Sequence, residues 1–123
     1  MNQNYTQCVG TPFQGIEKEN LIQFLQMQSL EYDENITYTF VLKDEGTIIG
    51  TGSFHGNVIK CVAIDSKYQG QNLLSLIMTH LVGKLFEQKV YHYFGFTKPK
   101  NKRLFGSMGL YPVAETKDVL LME

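Results

Sequence analysis

The chain has 123 residues, 43% of them apolar, and its 11 basic and 12 acidic residues leave a net charge of -1. A chain of this size buries one hydrophobic core and not two, and a balanced charge supplies no long-range field to gather nucleic acid or an anionic membrane, so any phosphate recognition is local. Cys8 and Cys61 lie far apart and outside any metal-ligand spacing, and no stretch approaches the roughly 18 apolar residues of a membrane span, so the expectation is a cytoplasmic protein with free thiols, no metal, and no nucleic-acid or membrane partner.

Tyr5 to Val9 reads as a first strand, closed by Gly10-Thr11-Pro12. Ile16, Leu21, Ile22, Phe24, Leu25 and Met27 then recur at helical spacing, with Glu17, Lys18, Glu19, Gln23 and Gln26 on the solvent side, and the helix fades between Ser29 and Tyr32. From Ile36 to Leu42 the residues are β-branched or aromatic, and Lys43-Asp44-Glu45-Gly46 turns the chain into Thr47 to Phe54, which makes a β-hairpin. Gly50 and Gly52 in the second arm weaken a strand unless something packs closely on its backbone. A turn at His55-Gly56-Asn57 leads through Val58-Ile59-Lys60 into the short apolar strand Cys61-Val62-Ala63-Ile64.

The stretch from Cys61 to Leu85 is the centre of the chain. Its strand passes through Asp65 to Asn72, a polar turn with Gly and Asn, into a helix whose stripe is Leu73, Leu74, Leu76, Ile77, Leu81 and Leu85. The first N–H groups of a helix have no intrahelical partner and sit at the positive end of its dipole, so a turn of this kind is either an anion cradle or an ordinary connection. Downstream, the aromatic run Val90 to Phe96 reads as a strand buried on both faces, in the middle of the sheet and parallel to the central strand. Thr97-Lys98-Pro99 opens a short basic helix through Lys100, Lys102 and Arg103 to Phe105, and Leu110 to Val113 and Val119 to Met122 form a closing strand pair.

The order strand, helix, three strands, helix, strand, helix, two strands resembles the GNAT acetyltransferase fold, an α/β (α+β) domain whose mixed, mostly antiparallel sheet is flanked by helices. Val62 to Gly70 is similar to that family's central strand and phosphate-cradling turn. In the family pattern, Gln or Arg is followed by two residues, Gly, one residue, and Gly or Ala; here Gln69 and Gly70 fit, whereas Asn72 and Leu74 depart from it. Asn tolerates the positive φ of a replaced Gly, while Leu adds bulk where backbone approaches pyrophosphate. The resemblance implies that acetyl-CoA or coenzyme A lies against Val62, Ala63, Ile64, Gln69, Gly70, Gln71, Asn72, Leu73 and Leu74. It also implies a Tyr general acid in a Leu-Tyr-x-x-x-Gly-Phe context, which here reads Leu104-Phe105-Gly106-Ser107-Met108-Gly109-Leu110, with no acidic hydroxyl. No Asp or Glu stands between Gly50 and Ile64, which leaves His55 as the nearest group able to act as a base, or simply a loop histidine beside Gly56.

Gly56-Asn57-Val58-Ile59-Lys60-Cys61-Val62-Ala63-Ile64, with Thr97-Lys98 and the terminal Val119 to Glu123, resembles more narrowly the N-terminal acetyltransferase-like domain of citrate lyase ligase. That resemblance implies a first domain, residues 1–123, of a longer enzyme that uses ATP and acetate to acetylate the thiol of a phosphoribosyl-dephospho-CoA type group on the citrate lyase acyl carrier. The resemblance also implies that the ATP chemistry belongs to a second, nucleotidyltransferase-like domain; these residues themselves hold no Gly-x-x-x-x-Gly-Lys loop. The other readings are a free-standing N-acetyltransferase that takes its acetyl group from a small-molecule thioester, and a catalytically silent module that binds the carrier. Cys61 is packing or a covalent relay, with Lys60 expected on the opposite strand face. The cations from Lys98 to Arg103 meet a phosphate or an acidic carrier, or form a solvated face.

Overall fold

The computed structural model describes residues 5–123. Its strands are β1 (Thr6–Gly10), β2 (Tyr38–Asp44), β3 (Thr47–His55), β4 (Val58–Ile64), β5 (Phe94–Thr97), β6 (Pro112–Glu115) and β7 (Leu120–Met122); its α-helices are α1 (Gly15–Met27), α2 (Leu73–Glu87) and α3 (Lys102–Ser107). One sheet takes the order β1-β2-β3-β4-β5-β7-β6, antiparallel throughout except for the parallel pair β4 and β5.

The sheet is covered on two sides by cores of unequal size. On one face Tyr38, Phe40 and Leu42 of β2, Ile59 and Val62 of β4 and Leu120 and Met122 of β7 meet Ile77, Met78, Leu81 and Leu85 of α2 and Phe105 of α3. On the other, Leu21, Phe24 and Leu25 of α1 meet Val41 and Ile48. β2 alternates between the two, as a central strand must. Helix α2 comes so close to β3 that a Cβ at Gly52 would stand 2.7 Å from Ile77 Cγ2 and 2.8 Å from Leu81 Cδ1. The glycines in β3 are therefore the price of a helix seated directly on the strand backbone.

Four expectations change. Leu76 is 41% exposed rather than part of the α2 stripe; at about 100° per residue it lies outside the arc from Leu73 to Met78. Ile16 and Met27, placed on the inner side of α1, are exposed, and the helix is buried through Leu21, Phe24 and Leu25. The aromatic run yields a strand only from Phe94, because Val90 N–H is used on Leu85 O at the end of α2 and Tyr91, 68% exposed, lies edge-on against Phe86. That strand does run beside β4 inside the sheet, but it is buried on one face only: Gly95 and Thr97 point inward and Phe96 is 45% exposed, since no helix covers that side. Finally, the basic segment divides into a 3-10 turn, Pro99–Asn101, and α3.

Candidate functional site

β4 and β5 pair only at Val58 with Phe94 and Ile59 with Gly95. Beyond that point β4 carries a bulge: Thr51 faces Ala63 and Ser53 faces Lys60, so Gly52 alone opposes both Cys61 and Val62. Cys61 takes φ +56°, a left-handed conformation that L residues seldom adopt. The bulge turns β4 away from β5, and two adjoining spaces, which share Leu30, Val62, Lys98 and Lys100, open at the gap.

On the α2 side the gap is a cavity of about 230 Å³. Its walls are the end of β4 (Val62, Ala63, Ile64), the turn with Tyr68, Gln69, Gly70 and Asn72, the first residues of α2 (Leu73, Leu74, Ser75), Gln28 and Leu30 behind α1, and Lys98, Lys100 and Asn101 after β5. The turn is closed by its own groups. Asp65 N–H donates to Ile49 O (2.8 Å), Asp65 Oδ1 accepts from Lys67 N–H (2.9 Å), and Tyr68 N–H donates to Asp65 O (2.9 Å). Gly70 has φ +84° and Asn72, the residue before α2, has φ +60° and makes no side-chain cap. The first N–H groups of α2 thus face the cavity end of the turn uncapped, at the positive pole of a 15-residue helix. Leu74 turns largely into the core, though it still forms part of the wall.

Two tyrosines hold the turn from outside. Tyr68 hydroxyl donates to Asp44 Oδ2 (2.7 Å), which pushes its pKa up to about 12, and Tyr5 hydroxyl donates to Gln71 Oε1 (2.7 Å). Tyr68 is therefore a clamp rather than a proton donor. Phe105, which stands where the GNAT pattern has its acid, is wholly buried, with its ring edge 2.9 Å from where a Gly95 Cβ would be. It belongs to the core and does not border the cavity.

On the α1 side the gap widens into a groove of about 970 Å³, bordered by the segment from Ser29 to Glu34, by Lys60, Cys61, Val62 and Phe96, and by Lys117 and Val119. Here one expectation is corrected. Lys60 and Cys61 do not point to opposite faces: Lys60 Nζ donates to Asp33 Oδ2 (2.7 Å) while Cys61 Sγ donates to Glu31 O (3.6 Å), so both turn toward the same loop. The bulge breaks strand alternation at this pair. Burial pushes the Cys61 thiol up, and the neighbouring Lys60 ammonium opposes this too weakly to make a thiolate.

Of the residues singled out in sequence, Val62, Ala63, Ile64, Gln69, Gly70, Asn72, Leu73 and Leu74 come together on the cavity wall, and Gln71 stands just outside, held by Tyr5. His55 is exposed at the far end of β3 and borders neither cavity nor groove. Sequence reading missed Asp33. The hydrogen bond from Lys60 and then the Asn35 N–H hold its carboxyl below the usual range, so it is an anchored carboxylate and a poor base. Nothing in its spacing marks it, since Asp33 lies in a loop and its partner Lys60 stands 27 residues further on, in β4. Gln28, Leu30 and Asn101 also reach the cavity only through the tertiary fold, and of the cations from Lys98 to Arg103 it is Lys98 and Lys100 that border it.

The model of the Acetyltransferase (GNAT) family matches residues 5–111. The chain belongs to that family. Among curated relatives it is 38% identical over 110 residues to the [Citrate [pro-3S]-lyase] ligase of Haemophilus influenzae, an alignment covering 87% of this chain and 33% of the relative. It spans about a third of the length of the curated relatives it matches. Among solved structures, Escherichia coli ElaA superposes with a TM-score of 0.78 at 11% identity, covering 98% of both chains. A GNAT family acetyltransferase from Elizabethkingia anophelis, solved with acetyl-CoA bound, gives 0.64 at 18% identity, covering 98% of this chain and 97% of that one. At these identities the solved structures speak for the fold alone. No helix among the described residues is long and apolar enough to cross a membrane.

Proposed function

We propose that this GNAT domain is the thiol-receiving part of a citrate lyase ligase, holding a coenzyme A type group of the citrate lyase acyl carrier while its thiol is acetylated at the expense of ATP and acetate. The observation that carries the reading is the cavity at the β4–α2 turn, which gathers eight of the nine residues picked for it. Its parts fit a pantetheine-pyrophosphate ligand. Val62 to Ile64, free of pairing with β5, offer backbone groups to the amides of a pantetheine arm. A Cβ at Gly70 would meet nothing within 4 Å, so the turn is open to a phosphate, and the uncapped start of α2 with Lys98 and Lys100 supplies positive charge.

The bound group would supply the thiol that becomes a thioester. This chain's residues orient it: the arm is held along β4 and its end directed through the gap at Val62 toward the groove. Activation of acetate by ATP is assigned to the part of the ligase outside this chain. With Phe105 buried and Tyr68 engaged on Asp44, no acid stands ready at the cavity, so the domain receives a thiol and does not acetylate amines by itself.

Titration of the chain with CoA and dephospho-CoA, followed by backbone amide shifts, tests this. Shifts at residues 62–64 and 69–74 are expected, with weak binding that tightens in Asn72→Gly/Leu74→Ala. Shifts elsewhere, or none at millimolar ligand, defeat the proposal, and so does robust amine acetylation by the isolated chain.

A further inference from the structure

Beside the cavity stands a group of exposed cations, of which one is used in the fold. Lys100, Lys102, Arg103 and Lys117 are all exposed, and the bridge from Lys102 Nζ to Glu115 Oε1 (2.8 Å) brings α3 up to the strand pair that ends at Lys117. Among the described residues Lys67, Lys89, Lys98, Lys100, Arg103 and Lys117 make no ion pair, and four of these six lie between Lys98 and Lys117. Glu115 and Asp118 are the carboxylates beside them, so four cations stand against two acids on a chain whose net charge is -1. Next to them Phe96 is exposed on the wall of the groove that Lys100 and Lys117 also border. An apolar centre with a charged rim is the anatomy of a protein interface.

We propose that this rim docks an acidic face of the protein that delivers the thiol, with Phe96 as the apolar contact beside it; the proposal rests on the function argued above. Two features favour a protein over the alternatives. A small ligand held in the cavity is out of reach of Lys102 and Arg103, which line neither cavity nor groove. A nucleic acid needs a continuous basic track, and the opposite wall of the groove supplies none: Asp33 is paired with Lys60 and Glu34 with Lys18, which leaves Glu31 there. A folded partner can place carboxylates on one wall only. Charges at such a rim act mainly on encounter and salt dependence.

The test is binding of the citrate lyase acyl-carrier subunit, bearing its thiol group, to the wild-type chain and to the Arg103→Glu/Lys117→Glu double variant, with free CoA titrated in parallel. The double variant is expected to lose roughly tenfold or more in carrier affinity and to show a flatter salt dependence, while CoA binds as to wild type. A Lys89→Glu variant, altered away from both the rim and the turn, should bind both as wild type does. Unchanged carrier affinity in the rim variant, with CoA binding intact in both, overturns the docking surface and leaves the thiol site standing. An oligonucleotide bound by wild type as tightly as the carrier overturns it in favour of nucleic acid. Failure of the wild-type chain to bind either CoA or carrier removes the thiol site and the rim together.

Discussion

The two halves of β4 are both apolar strand, yet one closes the molecule and the other opens it. Val58 and Ile59 pair with β5, and there the sheet is sealed by Gly95 lying under Phe105 and Leu110. From Cys61 onward the same strand leaves β5 and borders a cavity and an adjoining groove. Hydrophobicity does not separate them. What differs is a single surplus residue opposite Gly52, which shifts the register and rotates everything after it. A binding gap can thus be made in a sheet without charged or polar residues, by a change of backbone conformation.

The comparison breaks most severely on the closed side. A Cβ at Gly95 would stand 2.9 Å from Phe105 Cε2 and 3.2 Å from Leu110 Cδ2, and both side chains are buried. Gly95→Val is expected to destabilise the chain by about 3 kcal/mol or more, at the upper end of overpacking costs, and Gly95→Ala by less. Urea denaturation measures both. Wild-type stability in Gly95→Val would mean that Phe105 is not seated on β5.

On the open side the expected effect is smaller and depends on the residue. Cys61→Val puts a β-branched side chain at φ +56° and should cost about 2 kcal/mol, whereas Cys61→Gly relieves the left-handed conformation and should stay close to wild type despite the lost thiol contacts. The same pair separates function from folding: Cys61→Val should weaken CoA binding by favouring a straight strand, while Cys61→Gly should keep it. Equal stability and equal binding in both variants would show that the bulge does not shape the gap.

Much of the centre of the chain was legible because its signals are local. The spacing of the leucines, the turn from Asp65 to Asn72 and the glycines of β3 each point to a physical need, and the helix seated on Gly52 meets the last of these. The bulge was not legible, since Cys61 and Val62 are unremarkable strand residues and the surplus exists only in relation to β3. For the same reason Lys60 was assigned to the wrong face and Asp33 was overlooked. The run from Val90 to Phe96 misled through composition: its first aromatics close the end of α2 instead of entering the sheet. At the site, the wall contributed by β4 and its turn could be read in advance. The wall contributed by Gln28 and Leu30 could not, because it depends on Lys98 Nζ reaching Gln28 O across the gap (3.0 Å).

The smallest expected effect concerns the tie that braces the open half. Lys60 Nζ and Asp33 Oδ2 are 2.7 Å apart with both side chains partly exposed, so the pair contributes no more than about 1 kcal/mol after solvent screening. The hydrogen bond from Lys60 holds the Asp33 pKa below its ordinary value of 3.8. A carboxylate whose folded pKa is depressed stabilises the native state fully above its unfolded pKa, and that stability is lost as pH falls through the folded value. The tie should therefore be complete at pH 5 and above, weaken below about pH 4, and leave the closed half of β4 unaffected. Asp33→Asn removes the titration. The stability difference between wild type and Asp33→Asn in urea should be constant from pH 7 to pH 5 and begin to shrink below about pH 4, as the solution is taken to pH 3. A difference that stayed constant across that range would mean that Asp33 is not anchored by Lys60, and that the segment from Glu31 to Glu34 borders the groove without being fastened to β4.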